Sequence, residues 1–245
     1  MPRVVDLLQY LLEERGSDLL VKVGSPPTLR RNGRLERSSL EALKPAEIEA
    51  LAAEMLTPVK AEEFQQDGET DLAYSVPGLG RFRVNVYRQR GSVSLAIRRV
   101  VPGAPSISDI GVPPVVTELA NARDGLVIIS GPAASGKTTT AAAMLDHINA
   151  SQAVHIVTIE DPIEVLHADR VAVVSQREVG ADTVDAADAL KRVARQDADV
   201  IFVSELVEPE AIAAALNVAA AGRLVIAVMN TQSVLDTLAL IVDRG

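Results

Sequence analysis

Apolar positions change their period partway along the chain. Val4, Leu7, Leu8, Leu11 and Leu12 fall on one side of a helix over 3–15, closed by Gly16-Ser17. Asp18–Val23 and Pro27–Arg31 read as strands, and Asn32-Gly33 is a hairpin turn between Arg31 and Arg34. Pro45 opens a helix to about Leu56, and a shorter one near Val59–Gln66 stops at Asp67-Gly68. Thr70–Val76, Gly80–Gln89 and Ser92–Val101 are three strands, the last two joined at Arg90-Gly91. Together these predict a small α+β domain over 1–101 with a mostly antiparallel sheet.

The run Pro102-Gly103-Ala104-Pro105-Ser106 interrupts that pattern and predicts a linker over 102–112. From Pro113 short apolar runs alternate with helical segments. The runs are Leu126–Ile129, His155–Ile159, Val171–Val174, Val200–Val203 and Leu224–Met229. The helices are Val115–Ala122, Lys137–Asn149, Ala186–Arg195, Pro209–Ala220 and Ser233–Asp243. Such alternation predicts an α/β domain over 113–245, with helices covering a largely parallel sheet.

One stretch of that domain carries chemistry. Leu126–Ile129 runs into Gly131-Pro132-Ala133-Ala134-Ser135-Gly136-Lys137-Thr138, which satisfies G-x-x-x-x-G-K-[ST], followed by Thr139 and an alanine-rich helix. Gly131 and Gly136 keep side chains out of a bend where backbone must touch phosphate oxygens. Successive N–H groups and the positive end of the helix then hold a polyanion. Lys137 would reach the β- and γ-phosphates, and the Thr138 hydroxyl would coordinate Mg²⁺. Gly131 through Thr139 are therefore the candidate nucleotide-binding positions, with ATP and Mg²⁺ as the implied ligands.

Two acidic segments follow. Thr158-Ile159-Glu160-Asp161-Pro162-Ile163-Glu164 closes the second apolar run, and in open α/β sheets ligands sit outside the carboxyl ends of strands. Asp199–Glu205 is an apolar run ending in Ser204-Glu205, the logic of a carboxylate set beside a metal and an attacking water. Arg81, Arg83, Arg88, Arg90, Arg98 and Arg99 crowd one hairpin, with Arg81, Arg83 and Asn85 on one face and Phe82, Val84 and Val86 on the other. They are either a solvated face or a source of an arginine aimed at a nucleotide, including one on a neighbouring subunit. His147, His155 and His167 lack metal-ligand spacing and read as structural or surface residues.

Composition narrows the classes. A net charge of −9 and 2% aromatic residues disfavour nucleic acid and anionic lipid as partners. The absence of cysteine excludes disulfides and thiolate metal sites, and fits a reducing cytoplasm. No apolar run reaches the ~18 residues of a membrane span, so no direct membrane insertion is expected.

Gly16–Leu19, Pro26-Pro27, Glu69–Asp71, Arg81–Asn85, the phosphate loop, Thr158–Glu164, Gln176–Val179, Asp199–Glu205 and Thr231 to Ser233 together resemble the PilT-type pilus-retraction ATPases of the type II/type IV secretion ATPase superfamily. The resemblance implies an N-terminal PAS-like domain, a RecA-like ATPase domain and a homo-hexameric ring. It also implies an inner-membrane platform protein of a pilus or secretion system as partner. A cytoplasmic location follows, with peripheral docking at the inner membrane left open. It makes Glu160 the general base or water-orienting residue and Glu205 the Walker B glutamate, a metal ligand with Thr138. Arg83 and Arg99 both match arginines that look like γ-phosphate sensors.

Several positions depart from the family pattern. Ser204 replaces a glycine, Val207 an arginine, Ala220 an acid, and Arg223 and Asn230 two histidines. The sequence stops at Gly245, where the family continues into a C-terminal helical region. Two functions stay open on these residues: a motor ATPase of pilus retraction or secretion, and a degenerate ATP-binding paralogue regulating an active pilus ATPase. A nucleic-acid translocase on the same scaffold is disfavoured by charge.

Overall fold

The computed structural model describes residues 3–244 of the chain, which divides into two compact units, Met1–Val100 and Val101–Gly245.

In the first unit the apolar stripe of α1 (Val4–Glu13) is buried through Val4, Leu7, Leu8 and Leu11. Pro45 takes the first turn of α2 (Pro45–Met55), where its missing N–H costs nothing. Thr57 caps α3 (Pro58–Asp67) by accepting from the Lys60 N–H at 3.4 Å, and Gly68 ends it with φ 77°. The strands are β1 (Asp18–Val21), β2 (Thr28–Arg31), β3 (Arg34–Arg37), β4 (Glu69–Val76), β5 (Gly80–Gln89) and β6 (Ser92–Arg99). They form an antiparallel sheet in the order β3-β2-β1-β6-β5-β4. Asn32 and Gly33 turn the β2–β3 hairpin with φ 49° and 79°, the left-handed pair that such a turn requires. One sheet face buries Leu19, Phe82, Val84, Val86, Leu95 and Ile97 in a core with the helices.

The second unit opens with β7 (Val101–Pro102), parallel to β10 (Val165–Leu166). Paired strand thus enters the expected linker, and the expected Ser92–Val101 strand ends at Arg99. The helix α4 (Val115–Ala120) leads to β8 (Gly125–Ser130), α5 (Lys137–Ser151) and β9 (His155–Glu160). After β10 come β11 (Val173–Glu178), α6 (Ala186–Val193), β12 (Val200–Val203), α7 (Pro209–Ala220), β13 (Leu224–Met229) and α8 (Val234–Arg244). The five long strands are parallel in the order β11-β9-β12-β13-β8. One apolar cluster packs α4 and α5 on one face, and a second packs α6, α7 and α8 on the other. The α/β class expected for this part of the chain is the class observed.

One strand differs from expectation. The run Val171–Val174 is extended only from Val173, and its strand continues to Glu178 in register with β9, Val173 opposite His155 and Glu178 opposite Glu160. The polar half, Ser175 to Glu178, is held by ladder hydrogen bonds at the sheet edge rather than by apolar burial.

Candidate functional site

All five parallel strands deliver their carboxyl ends to one edge, where the phosphate loop, the Glu160 loop, the Glu205 loop and Asn230 meet solvent. The loop after β8 bends through left-handed backbone at Ala134 (φ 61°) and Gly136 (φ 93°). Pro132 through Gly136 are exposed, whereas Lys137 is only 8% exposed. Its ammonium reaches across the loop and donates to the Pro132 carbonyl at 2.8 Å. The helix α5 begins at Lys137, so its first N–H groups open on the concave side of the bend. Thr140 commits its hydroxyl to the Gly136 carbonyl at 2.9 Å. Thr138 instead lines a small pocket with Glu160, Glu164, His167 and Phe202, and the volume of about 10 Å³ is close to that of one water. Thr139 is exposed on the same first turn.

Glu160, at the end of β9, is 5% exposed. The Thr158 hydroxyl donates to its Oε1 at 2.6 Å and the Gln176 amide donates to the same oxygen at 2.8 Å. Burial pushes this carboxyl above its ordinary range. The hydrogen bonds from Thr158, Gln176 and the Glu164 backbone oppose that rise, and the Glu164 charge adds to it. Glu164 is exposed on the same pocket. Sequence reasoning did not single it out, although it lay within the acidic segment; the signal was its spacing after Pro162, which returns the chain toward α5.

The histidines divide. His147 Nε2 lies 3.1 Å from Asn121 Oδ1, and the His155 ring nitrogens lie 3.0 Å from the Gln196 carbonyl and 2.9 Å from Ser175 Oγ, so both are structural. His167, expected to be the same, borders the Thr138 pocket with its Nδ1 buried and without a hydrogen-bond partner. Burial pushes its imidazole pKa down, with Asp146 opposing and Arg170 adding to the shift.

Glu205 stands apart from Glu160. It lines a separate cleft with Asp161, Asp185 and Glu208, and its Oε1 accepts from Asn230 Nδ2 at 3.0 Å. The loops behind it are tied across the sheet: Ser204 Oγ accepts from the Asp161 N–H at 2.9 Å, and the Ser204 N–H donates to the Ile159 carbonyl at 3.0 Å. Of the two positions where the resemblance places histidines, Asn230 therefore touches Glu205, while Arg223 borders a groove between α6 and α7. The structure brings Thr138 and Glu160 to one pocket and leaves Glu205 in the neighbouring one.

Arg83 and Arg99 belong to the first unit. Arg83 is exposed and sits opposite Arg98, whereas Arg99 sits opposite the buried Phe82, so the two point from opposite faces of the sheet. Arg98 donates to Asp18 at 2.7 Å, and Arg30 lies 3.8 Å from the same carboxylate.

A glycine-bent loop between a parallel strand and a helix, with a buried lysine at the helix start and a carboxylate two strands along, defines a RecA-like P-loop protein. Comparison with known proteins narrows this further. The pattern described as "Type II/IV secretion system protein" matches residues 78–244. A type IV pilus retraction ATPase, PilT of Pseudomonas aeruginosa, is 35% identical over 98% of this chain and 70% of its own length. The type IV pilus ATPase PilU of the same organism is 34% identical over 93% of this chain, which spans 59% of PilU. The crystal structure of the pilus retraction motor PilT with bound ADP superposes with a TM-score of 0.89 at 37% identity, covering 99% of this chain and 71% of that one. The Legionella pneumophila ATPase DotB gives 0.84 at 26% identity, covering 98% and 69%. The chain belongs to the type II/IV secretion system protein family and is PilT-like within it. Among the described residues no helix is long and apolar enough to cross a membrane.

Proposed function

We propose that the second unit binds ATP with Mg²⁺ at Gly131–Thr139 and hydrolyses it to ADP and phosphate, as the motor of a type IV pilus or a related secretion system. The observation that carries this reading is the pocket in which Thr138, at the start of α5, meets Glu160 and Glu164.

The loop N–H groups and Lys137 hold the β- and γ-phosphates. The Thr138 hydroxyl is a hard oxygen donor of the kind that suits Mg²⁺. Bound there, the ion would neutralise charge developing on the phosphoryl oxygens. Glu160 orients the attacking water and accepts its proton, and a buried carboxyl with a raised pKa is the more basic for it. Glu164 is the second carboxylate at the same water. Glu205, in the neighbouring cleft, is the carboxylate that would face the ion from the other side. Arg83 or Arg99 of a neighbouring copy senses the γ-phosphate across a homo-hexameric ring, with residues 1–101 as a PAS-like domain and 113–245 as the ATPase domain. The partner is a pilus or secretion platform protein at the inner membrane, reached from the cytoplasm.

The test is phosphate release by the purified chain. Lys137→Ala should abolish it and Glu205→Gln should nearly do so; turnover surviving both would remove the proposal. Glu160→Gln and Glu164→Gln, run beside them, identify the base. A second reading, an ATP-binding regulatory paralogue, is favoured by Asn230 occupying the Glu205 carboxylate. Saturable ATP binding without hydrolysis by the wild type selects it.

A further inference from the structure

The strand β11 runs past its apolar start into Ser175–Glu178, and that polarity has a use. Gln176 sits opposite Thr158 in the parallel register, and Glu178 sits opposite Glu160. The period of two therefore sets Thr158, Glu160, Gln176 and Glu178 on one face of the strand pair. Every polar atom of the Gln176 amide is engaged. Its Nε2 donates to Glu160 Oε1 at 2.8 Å and to the Val165 carbonyl at 2.9 Å, and its Oε1 accepts from the His167 N–H at 2.9 Å. Glu178 Oε2 accepts from the Ile163 N–H at 3.0 Å. Anchors from β11 thus fall on both sides of Glu164, at Ile163 and at Val165, while Gln176 also grips Glu160.

The amide cannot be turned over without cost. A flipped Gln176 would set its oxygen against a carboxylate and a carbonyl, and its NH₂ against the His167 N–H. Both side-chain donors to Glu160, from Gln176 and from Thr158, meet Oε1. The orientation of the carboxylate is thereby fixed by two short bonds to one of its oxygens.

We infer that Gln176, assisted by Thr158, is a positioning residue that holds the Glu160 carboxylate and the Glu164 loop in register with Thr138. The inference rests on the proposed hydrolytic site. It adds that the site depends on an amide on the adjacent edge strand, which touches no nucleotide itself. A displacement of about 1 Å in a reacting group can cost about 100-fold in rate, which sets the size of the effect.

The test uses the full chain carrying Thr158→Val, Thr158→Ser, Gln176→Leu or Gln176→Glu, each also combined with Glu160→Gln or Glu164→Gln. Phosphate release gives kcat and KM, a fluorescent ATP analogue gives binding, and circular dichroism reports the fold. Thr158→Val and Gln176→Leu should lower kcat about 10- to 100-fold with binding changed less than about twofold. Thr158→Ser, which keeps the donor, should restore most of it. Gln176→Glu keeps the acceptor for His167 but not the donors, and should behave like Gln176→Leu. In the background whose carboxylate does the chemistry, Gln176→Leu should cost nothing further.

Wild-type kcat in Thr158→Val and Gln176→Leu, beside a dead Glu160→Gln or Glu164→Gln, overturns the inference and leaves the hydrolytic reading standing. So do equal, additive losses in both backgrounds, which mean that Gln176 only holds the fold. Full turnover in both carboxylate variants removes the hydrolytic reading instead. The clamp is then decided without turnover, by the side-chain amide signals of glutamine-labelled protein. Two slowly exchanging Gln176 protons, one of which shifts on Glu160→Gln, support it; fast-exchanging, ordinary signals overturn it.

Discussion

Lys137→Met separates what the lysine does for the fold from what it does for a ligand. Methionine keeps most of the buried stem and removes the charge. In the structure the ammonium makes one hydrogen bond, to the Pro132 carbonyl at 2.8 Å. Pro132 is exposed, so water replaces that donor, and releasing a cation that is only 8% exposed offsets the loss. The melting temperature of the free protein should therefore stay within about 2 °C, since a larger shift would need on the order of 1 kcal/mol. Nucleotide affinity should respond differently. A charge-assisted contact to phosphate is worth about 1.5–3 kcal/mol. At 1.4 kcal/mol per factor of ten, that is about 10- to 100-fold in Kd. Titration with a fluorescent adenine nucleotide and Mg²⁺, beside a thermal melt without nucleotide, reads both numbers. A Kd within about twofold of wild type in a folded variant refutes the phosphate role of Lys137. A collapse of the melt refutes the account of Pro132.

Three further outcomes follow from the geometry. The Glu160 pKa is raised in the fold by burial, so the folded state holds more protons than the unfolded one between the two values. Stability then falls as pH rises from the unfolded carboxyl value, about 4.3, through the folded one. Glu160→Gln should accordingly melt higher than wild type at neutral pH and converge with it in acid, and a gap of the opposite sign is inconsistent with a buried, costly carboxylate. Gly136→Ala adds a Cβ that meets nothing within 4 Å, so only the φ of 93° penalises it. Urea unfolding should show a loss of about 1–2 kcal/mol, and no loss would mean that the bend relaxes. Arg83→Ala removes an exposed side chain and should leave stability within about 0.5 kcal/mol. If Arg83 is the γ-phosphate sensor, turnover should fall by about 10³ or more while Arg99→Ala, from the opposite sheet face, is mild; the reverse pattern assigns the role to Arg99.

The phosphate loop was legible because its chemistry demands a fixed spacing: two glycines, a lysine and a hydroxyl on consecutive turns of one short segment. Strands buried on both faces, such as Val200–Val203 and Leu224–Met229, were legible for the same reason, as their apolar runs have no competing explanation. The polar half of β11 was not, since Gln176 and Glu178 are placed by contacts to β9 and its loop, 9 to 16 residues away in the chain. Nor did the residues show Glu164 joining Glu160 at the Thr138 pocket, or Glu205 meeting Asn230, because those pairings depend on how the loops after β9, β12 and β13 curl. The opposite facing of Arg83 and Arg99 was implicit in strand alternation. It needed the register of β5 against β6 to become visible.

The parallel sheet gathers the phosphate loop, Glu160 and Glu205 at one rim, while its two apolar clusters lie behind it. Rim side chains such as Asn230 bond to other rim side chains, here Glu205, and lie outside both apolar clusters. A family built this way can alter the pace of whatever chemistry its rim supports while the strands and apolar clusters behind it stay as they are. Stepwise change of pace, with the architecture kept intact, is what such a layout makes easy.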